Sequence, residues 1–139
     1  MTIIGFNFTK MSVEKKPKNG PGKINISNNI SITNVEEKDL ALGKAKQKSV
    51  LFSFKFESKY EPAVGHIELL GNITFVADAA KVAEIVNGWK KDKKIAKEVM
   101  AAVMNTALNK SNIQALILSR DINLPPPIPL PKVQTKDSK

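Results

Sequence analysis

Apolar and polar residues alternate in four segments of the first half of the chain, which predicts four β-strands. The clearest alternation covers residues 49–60, and shorter patterns cover residues 4–8, 24–32 and 67–75. Successive side chains of a strand point to opposite faces, so each segment should turn one apolar face toward a core. In residues 49–60 that face is strongly aromatic and consists of Val50, Phe52, Phe54, Phe56 and Tyr60.

The segments between these strands are rich in residues that interrupt regular structure. Residues 15–22 contain two prolines and two glycines and predict a loop. The polar residues 36–48 predict a second loop, with the alternative that Lys44, Lys46 and Lys48 already begin the next strand with their charges facing solvent. Pro62 with Gly65 predicts a turn. Because short connections favour contact between consecutive elements, sequential antiparallel pairing of the four strands is the simplest topology.

Helical spacing of apolar residues replaces the alternation after the last strand. Asp78 is a suitable N-cap for a first helix, which Gly88 and the lysine-rich residues 90–94 should end. The helix is predicted to be amphipathic, since its apolar residues fall on one face. These residues are Val82, Ile85, Val86 and Trp89.

A second, longer helix is predicted from about Ile95 to about Ser119, with Asp92 as a candidate N-cap. It is either continuous or broken near Asn109. Helical spacing returns at Ile113, Leu116, Ile117 and Arg120. Residues 124–131 contain too many prolines for a helix or an inner strand, so an extended polyproline II conformation is expected there.

Strands followed by helices are typical of an α+β fold. The predicted architecture is a four-stranded antiparallel meander sheet, followed by two helices packed on one face and a Pro-rich extended C-terminal segment. A chain of 139 residues is about one domain's worth, so residues 1–131 are predicted to form a single domain. Residues 132–139 are predicted to be a flexible basic tail.

Composition excludes several classes of site. The sequence contains no cysteine, which rules out disulfides, thiolate metal sites and thiol nucleophiles. The first residues lack the features of a signal peptide, and no apolar run is long enough for a membrane span, so a cytoplasmic protein is expected. Histidine occurs once, at His66, which excludes a His-pair metal site and a Ser-His-Asp triad.

No motif supports catalysis. No two carboxylates occur at a recognisable spacing, and the glycines near residue 20 lack the strand and helix that flank a phosphate-binding loop. We therefore predict a protein that is not an enzyme and has no cofactor and no metal. His66 is expected to have a structural role.

The net charge of +9 is due almost entirely to lysine, and Arg120 is the single arginine. Such a charge favours contact with nucleic acid or acidic proteins, and the lysines of residues 90–94 could bind phosphates. Aromatic residues do not alternate with these lysines, as a stacking platform for single strands requires. A basic RNA-binding or scaffold domain without catalytic activity is therefore the second hypothesis.

Exposed apolar surface is the alternative source of function. Two helices cover only one face of a four-stranded sheet. The other face should also carry apolar residues, in part Leu51, Val64, Leu70 and Val76. An uncovered apolar surface of this kind marks an oligomer interface or a groove for a partner chain. The proline-rich segment contains one PxxP motif, from Pro126 to Pro129, but packing against the protein's own surface is the preferred interpretation.

The order of these elements resembles the SecB family of export chaperones over roughly residues 3–131. The most specific likeness is Asn123-Leu124 followed by Pro125 to Pro127, which is similar to the Asn-Leu-x-Pro segment after the last long helix of that family. The glycine-containing strand from His66 to Phe75 is similar in place and pattern to the family strand that precedes the first helix.

The resemblance implies an ATP-independent chaperone (holdase) that binds unfolded or non-native polypeptides in apolar grooves. It also implies a homo-oligomer, either a dimer or a dimer-of-dimers tetramer. Family members are typically acidic and dock on a translocase motor, so the basic charge of this chain leaves the link to protein export open, together with general or antitoxin-associated chaperone roles. The candidate polypeptide-binding residues are Phe52, Phe54, Phe56, Tyr60, Ile85 and Trp89.

Overall fold

The computed structural model describes residues 2–17, 23–42, 45–62 and 64–128, so the predicted tail 132–139 lies outside the described residues. Four strands are followed by two helices, which confirms the α+β class. The elements are β1 (Thr2–Lys15), β2 (Asn25–Leu42), β3 (Ala45–Glu61), β4 (Gly65–Val76), α1 (Ala79–Asp92) and α2 (Lys97–Asp121). Within the described part of the chain, neither helix has the length and apolar character needed to cross a bilayer.

The strands form one antiparallel sheet in the order β1-β4-β3-β2. Strands β2, β3 and β4 pair in sequence, as a meander does, whereas β1 pairs with β4 and not with β2. β4 is therefore an inner strand, and β1 and β2 form the two edges. Alternation within a strand sets which residues face the core, but it carries no information about which neighbour an edge strand will choose.

The predicted loop is wrong for residues 36–42, because β2 continues to Leu42. The alternative, a strand that begins among the lysines of residues 44–48, agrees with the start of β3 at Ala45. Polar side chains support this part of the β2–β3 pair. The Lys48 Nζ atom lies 3.1 Å from the Glu37 Oε1 atom, and the Ser49 hydroxyl donates a hydrogen bond of 3.0 Å to the carbonyl of Lys38. Residues 36–39 and 46–48 are all charged except Gln47, so the apolar alternation that predicts strands is missing from the sequence here.

One face of the sheet forms the core with both helices. The even-numbered residues of β3 and the odd-numbered residues of β4 point into it, as the alternation predicts. Phe54 lies near the middle, with its ring centroid 5.5 Å from that of Phe6 and 6.3 Å from that of Phe8. Gly71 is the residue opposite Phe54 on β4, and its missing side chain leaves room for these rings.

Local signals at the helix ends are partly confirmed. Asp78 is the N-cap of α1, since its carboxylate accepts a 2.8 Å hydrogen bond from the backbone N–H of Lys81. α1 ends with Lys93 in the left-handed conformation, and the Lys93 N–H donates to the carbonyl of Trp89. Asp92 does not cap α2. The N-cap of α2 is Ala96, which has no side chain able to accept such a bond.

α2 is a continuous helix of 25 residues, with no break near Asn109. Its buried residues recur at every fourth position, and four of the six are alanine or serine. Small inward-facing side chains let the helix axis lie close to the sheet, because short side chains fill only a narrow gap between the two backbones and interiors are close-packed. The buried residues are Val99, Val103, Ala107, Ser111, Ala115 and Ser119.

Candidate functional site

Large apolar side chains of α2 lie on the side that faces away from the core. Ile113 is 59% exposed and Ile117 is 37% exposed, and Leu116 beside them is half-buried. We call these three residues the α2 patch. Their position follows from the small residues on the inner side of the same helix turns, because alanine and serine occupy the positions nearest the sheet.

A groove of ≈ 420 Å³ adjoins the α2 patch. It lies between α2 and the residues that follow the helix. Most of its wall is apolar, and Arg120 supplies the one charged side chain. The lining residues are Leu116, Ile117, Ser119, Arg120, Leu124 and Pro126.

The second wall of the groove is the C-terminal segment, residues 124–128, which packs on the protein's own sheet. The chain turns at Asn123, whose φ of 59° is left-handed, a conformation that asparagine adopts more readily than most residues. Leu124 is then buried, and its N–H donates a 2.8 Å hydrogen bond to the Ser119 carbonyl. This bears out the packing interpretation for residues 124–128, whereas Pro129 of the PxxP motif lies outside the described residues.

Two side chains of the sheet hold the C-terminal segment through its carbonyl groups. The Tyr60 hydroxyl donates a 2.5 Å hydrogen bond to the Pro125 carbonyl, and the Asn28 amide donates one of 2.7 Å to the Pro127 carbonyl. Asn28 is oriented in turn by Ser58, its partner on β3, whose hydroxyl donates to the Asn28 Oδ1 atom. Proline has no N–H to donate, so a proline residue can form backbone hydrogen bonds only through its carbonyl group, as Pro125 and Pro127 do here.

Burial raises the pKa of Tyr60 to about 12. Since an unfolded tyrosine ionises near pH 10, the folded state binds the phenolic proton more tightly, and folding stability should fall as the pH rises from about 10 toward 12. Tyr60 is the only tyrosine, so phenolate absorbance reports on it alone. We expect a midpoint near 12 in the native protein and near 10 in strong denaturant; equal midpoints would contradict the burial of this hydroxyl.

The six sequence-predicted binding residues all lie in the core, and none is more than 8% exposed. Phe52, Phe54, Ile85 and Trp89 belong to a cluster beneath α1 and the first half of α2. Phe56 and Tyr60 belong to a second cluster beneath the end of α2 and Leu124. A partner chain could reach them only if the helices or the C-terminal segment moved, so their role in polypeptide binding remains a prediction.

Two carboxylates meet on the open face of the sheet, an arrangement that the sequence spacing does not reveal. Glu57 and Glu68 are direct partners on β3 and β4, and His66 lies beside them. Ligand atoms of these three residues lie within 4.8 Å of one another, which is close enough to hold a metal ion. Both carboxylates are already paired with lysine, because Lys10 lies 2.9 Å from Glu68 and Lys55 lies 3.3 Å from Glu57.

The same contacts set the acidity of this cluster. A hydrogen bond with His66 is the main reason that the pKa of Glu57 is lowered. The hydrogen bond from Lys10 is the main reason that the pKa of Glu68 is lowered. Both groups are therefore held in the ionised form, and the cluster is best explained as an ion-pair network that compensates two like charges on adjacent strands.

The open face offers little continuous apolar surface. Leu51, Leu70 and Val76 lie on it and are half-buried, as expected. Leu70 is the partner of both Lys10 and Lys55, so charged residues separate it from its apolar neighbours. Val64, which was expected on this face, is instead buried in the cluster that contains Leu124.

The lysines at the end of α1 are exposed, as a solvated connection would be. The Lys93 Nζ atom lies 4.7 Å from the centre of the Trp89 ring, a distance that suits a cation–π contact. This contact gives Lys93 a structural role, so its presence in the lysine run does not require a bound phosphate.

The fold has a counterpart among solved structures. No family model matches the sequence, and no curated protein has a significantly similar sequence. The chain is similar in structure to the SecB-like chaperone Rv1957 of Mycobacterium tuberculosis, solved in complex with a ChAD peptide from the antitoxin HigA1, Rv1956. The TM-score is 0.57 at 8% identity, over 96% of this chain and 91% of the other. The resemblance to SecB-like proteins therefore extends to the fold of nearly the whole chain.

Proposed function

We propose that this chain is an ATP-independent chaperone that holds unfolded or non-native polypeptides at the α2 patch and the adjoining groove. The observation that carries the proposal is the orientation of α2, whose large apolar residues Ile113 and Ile117 face outward while small residues face the core. Clustered apolar surface on a soluble domain usually marks a site of interaction with another chain.

The chemistry of the surface suits partners of varied sequence. Burial of apolar area is not directional, so a patch of aliphatic side chains can accept many different apolar segments. The groove beside it, with Leu124 and Pro126 on its far wall, offers room for a few side chains of a bound segment. A polypeptide partner also fits the likeness in fold to a chaperone that was solved with a peptide.

Two further parts of the proposal concern assembly. A homo-oligomer, dimer or tetramer, is the expected state, and native mass measures it directly. A link to protein export has less support, because a net charge of +9 opposes the acidic docking that SecB-family members use with a translocase motor.

Aggregation of a chemically unfolded test protein, followed by light scattering without nucleotide, tests the proposed activity. Suppression should be equal or stronger at higher salt, because salt does not weaken apolar burial. The second hypothesis, a basic RNA-binding domain, predicts no suppression and instead predicts binding of an RNA oligonucleotide that weakens steeply as salt rises, because contacts with phosphate depend on salt. No suppression at either salt concentration would refute the chaperone proposal.

Substitution of the α2 patch gives a sharper result. The double variant Ile113→Asp/Ile117→Asp should suppress aggregation at least about tenfold less well, because two apolar contacts worth roughly 1 kcal/mol each are lost. Its free energy of unfolding should fall by no more than about 2 kcal/mol, since Ile113 is well exposed and Ile117 is 37% exposed, so the variant should still fold.

Ala101→Asp/Asn105→Asp is the matched control for charge. It also adds two negative charges, at exposed positions of α2 outside the patch, and should leave suppression unchanged. If Ile113→Asp/Ile117→Asp suppresses aggregation as well as the natural protein does, clients bind elsewhere.

A further inference from the structure

We propose that the α2 patch preferentially binds apolar segments that carry acidic residues on both sides. The inference rests on the proposed function and adds a class of client to it. It comes from two basic residues, Lys110 and Arg120, which precede and follow the patch on the same helix.

Helix geometry places these charges in line with the apolar residues. Lys110, Ile113, Ile117 and Arg120 are separated by three, four and three positions, which are the spacings of neighbours on one face of an α-helix. All four side chains are exposed. The outer side of α2 therefore presents a line of basic, apolar, apolar and basic residues, about 15 Å long at ~1.5 Å per residue.

The neighbouring charges are compatible with this assignment. Arg120 lies 3.6 Å from Asp121, but both side chains are well exposed, and such surface pairs are weak and easily exchanged. Asp121 is the one acidic residue in the second half of α2, so the basic character of this surface prevails. The net charge of +9 acts in the same direction at longer range.

The length of this line of four side chains determines how far apart the acidic residues of a client should be. An extended chain rises ~3.3 Å per residue, so about 15 Å corresponds to roughly five residues. The best client would thus be an extended segment with two acidic residues four or five positions apart and apolar residues between them. Charges at the rim of an apolar contact chiefly determine which partner is selected, while burial supplies the binding free energy.

Three fluorescently labelled peptides test this preference. They share one apolar centre and differ only in the two flanking residues, which are aspartate, asparagine or lysine. By fluorescence anisotropy at low salt, the aspartate peptide should bind about fivefold more tightly than the asparagine peptide, and the lysine peptide should bind less tightly than either. At high salt the three affinities should converge.

Charge reversal then locates the effect. Lys110→Glu/Arg120→Glu should make the lysine peptide the tightest binder. Lys90→Glu/Lys91→Glu is the control, because it changes the total charge equally at exposed positions on α1. The order of the peptides should survive in this control; if it also reverses there, total charge determines selection and the proposal is wrong.

The remaining outcomes separate the two proposals. Equal binding of all three peptides at low salt overturns the acidic preference and leaves the chaperone function intact. If none of the peptides binds and the protein fails to suppress aggregation, the proposed function itself fails. If none binds and native mass shows a dimer that Ile113→Asp/Ile117→Asp dissociates, a second copy of this chain occupies the patch, and the inference is overturned.

Discussion

Phe54→Asp is expected to leave the protein unfolded. The side chain is 1% exposed, belongs to a cluster of buried apolar residues and packs against the rings of Phe6 and Phe8. The variant loses the burial of an aromatic ring and places a charge in an apolar core. Together these should cost more than about 4 kcal/mol, a large part of the ~5–15 kcal/mol that stabilises a typical domain.

Circular dichroism and urea denaturation measure this loss. Ser31→Asp is the control on the same sheet, because Ser31 is exposed and its partner on β3 is Lys55; it should change stability by no more than about 0.5 kcal/mol. Phe54→Leu should fold and lose roughly 1–2 kcal/mol. A folded Phe54→Asp protein that had lost only client binding would mean that Phe54 lines an accessible groove and not the core.

Gly71→Ala is expected to have the next largest effect on stability. A Cβ atom at this position would overlap the backbone carbonyl oxygen of Asn7 and would lie 2.8 Å from the ring of Phe54. The Asn7 carbonyl belongs to β1, which pairs with β4 at this point, so it cannot retreat without disturbing the ladder. Overpacking of this kind should cost about 2–3 kcal/mol.

Gly5→Ala provides the matched comparison. A Cβ atom at Gly5 would meet the side chain of Thr74 at 3.5 Å, an ordinary contact, so this variant should be close to neutral in urea denaturation. Equal losses in the two variants would show that the close approach at Gly71 does not explain the effect, because alanine is ordinarily tolerated better than glycine in a strand.

The regular elements could be predicted wherever one face of the chain is apolar. β3, β4 and α1 follow from alternation or helical spacing, and Asp78 marks the start of α1 because it offers a side-chain acceptor. The pairing of Glu37 with Lys48 could not be predicted in this way, since the sequence around both residues is mostly charged and shows no apolar alternation. The choice of β4 as the neighbour of β1 depends on the assembled sheet and not on either strand alone.

The proposed binding surface is harder to predict from the sequence than the fold. Aromatic residues such as Phe54 and Trp89 were the obvious candidates, but their size is also what makes them suitable for the core. Helical spacing identified Ile113 and Ile117 without showing which side of α2 would be buried. The deciding signal was the alanine or serine at every fourth position, from Ala107 to Ser119, which permits close approach to the sheet although each residue is only weakly apolar.

The pairing of β1 with β4 also has a consequence for synthesis in the cell. β1 is translated before β4, and roughly sixty more residues must follow it before the end of β4 is made. At ~5–20 residues per second, this takes about 3–12 s. Throughout that time β4, the strand that pairs with β1, is missing, so Phe6 and Phe8 on β1 remain uncovered. Each nascent copy of this protein therefore exposes an apolar segment of the kind that chaperones bind.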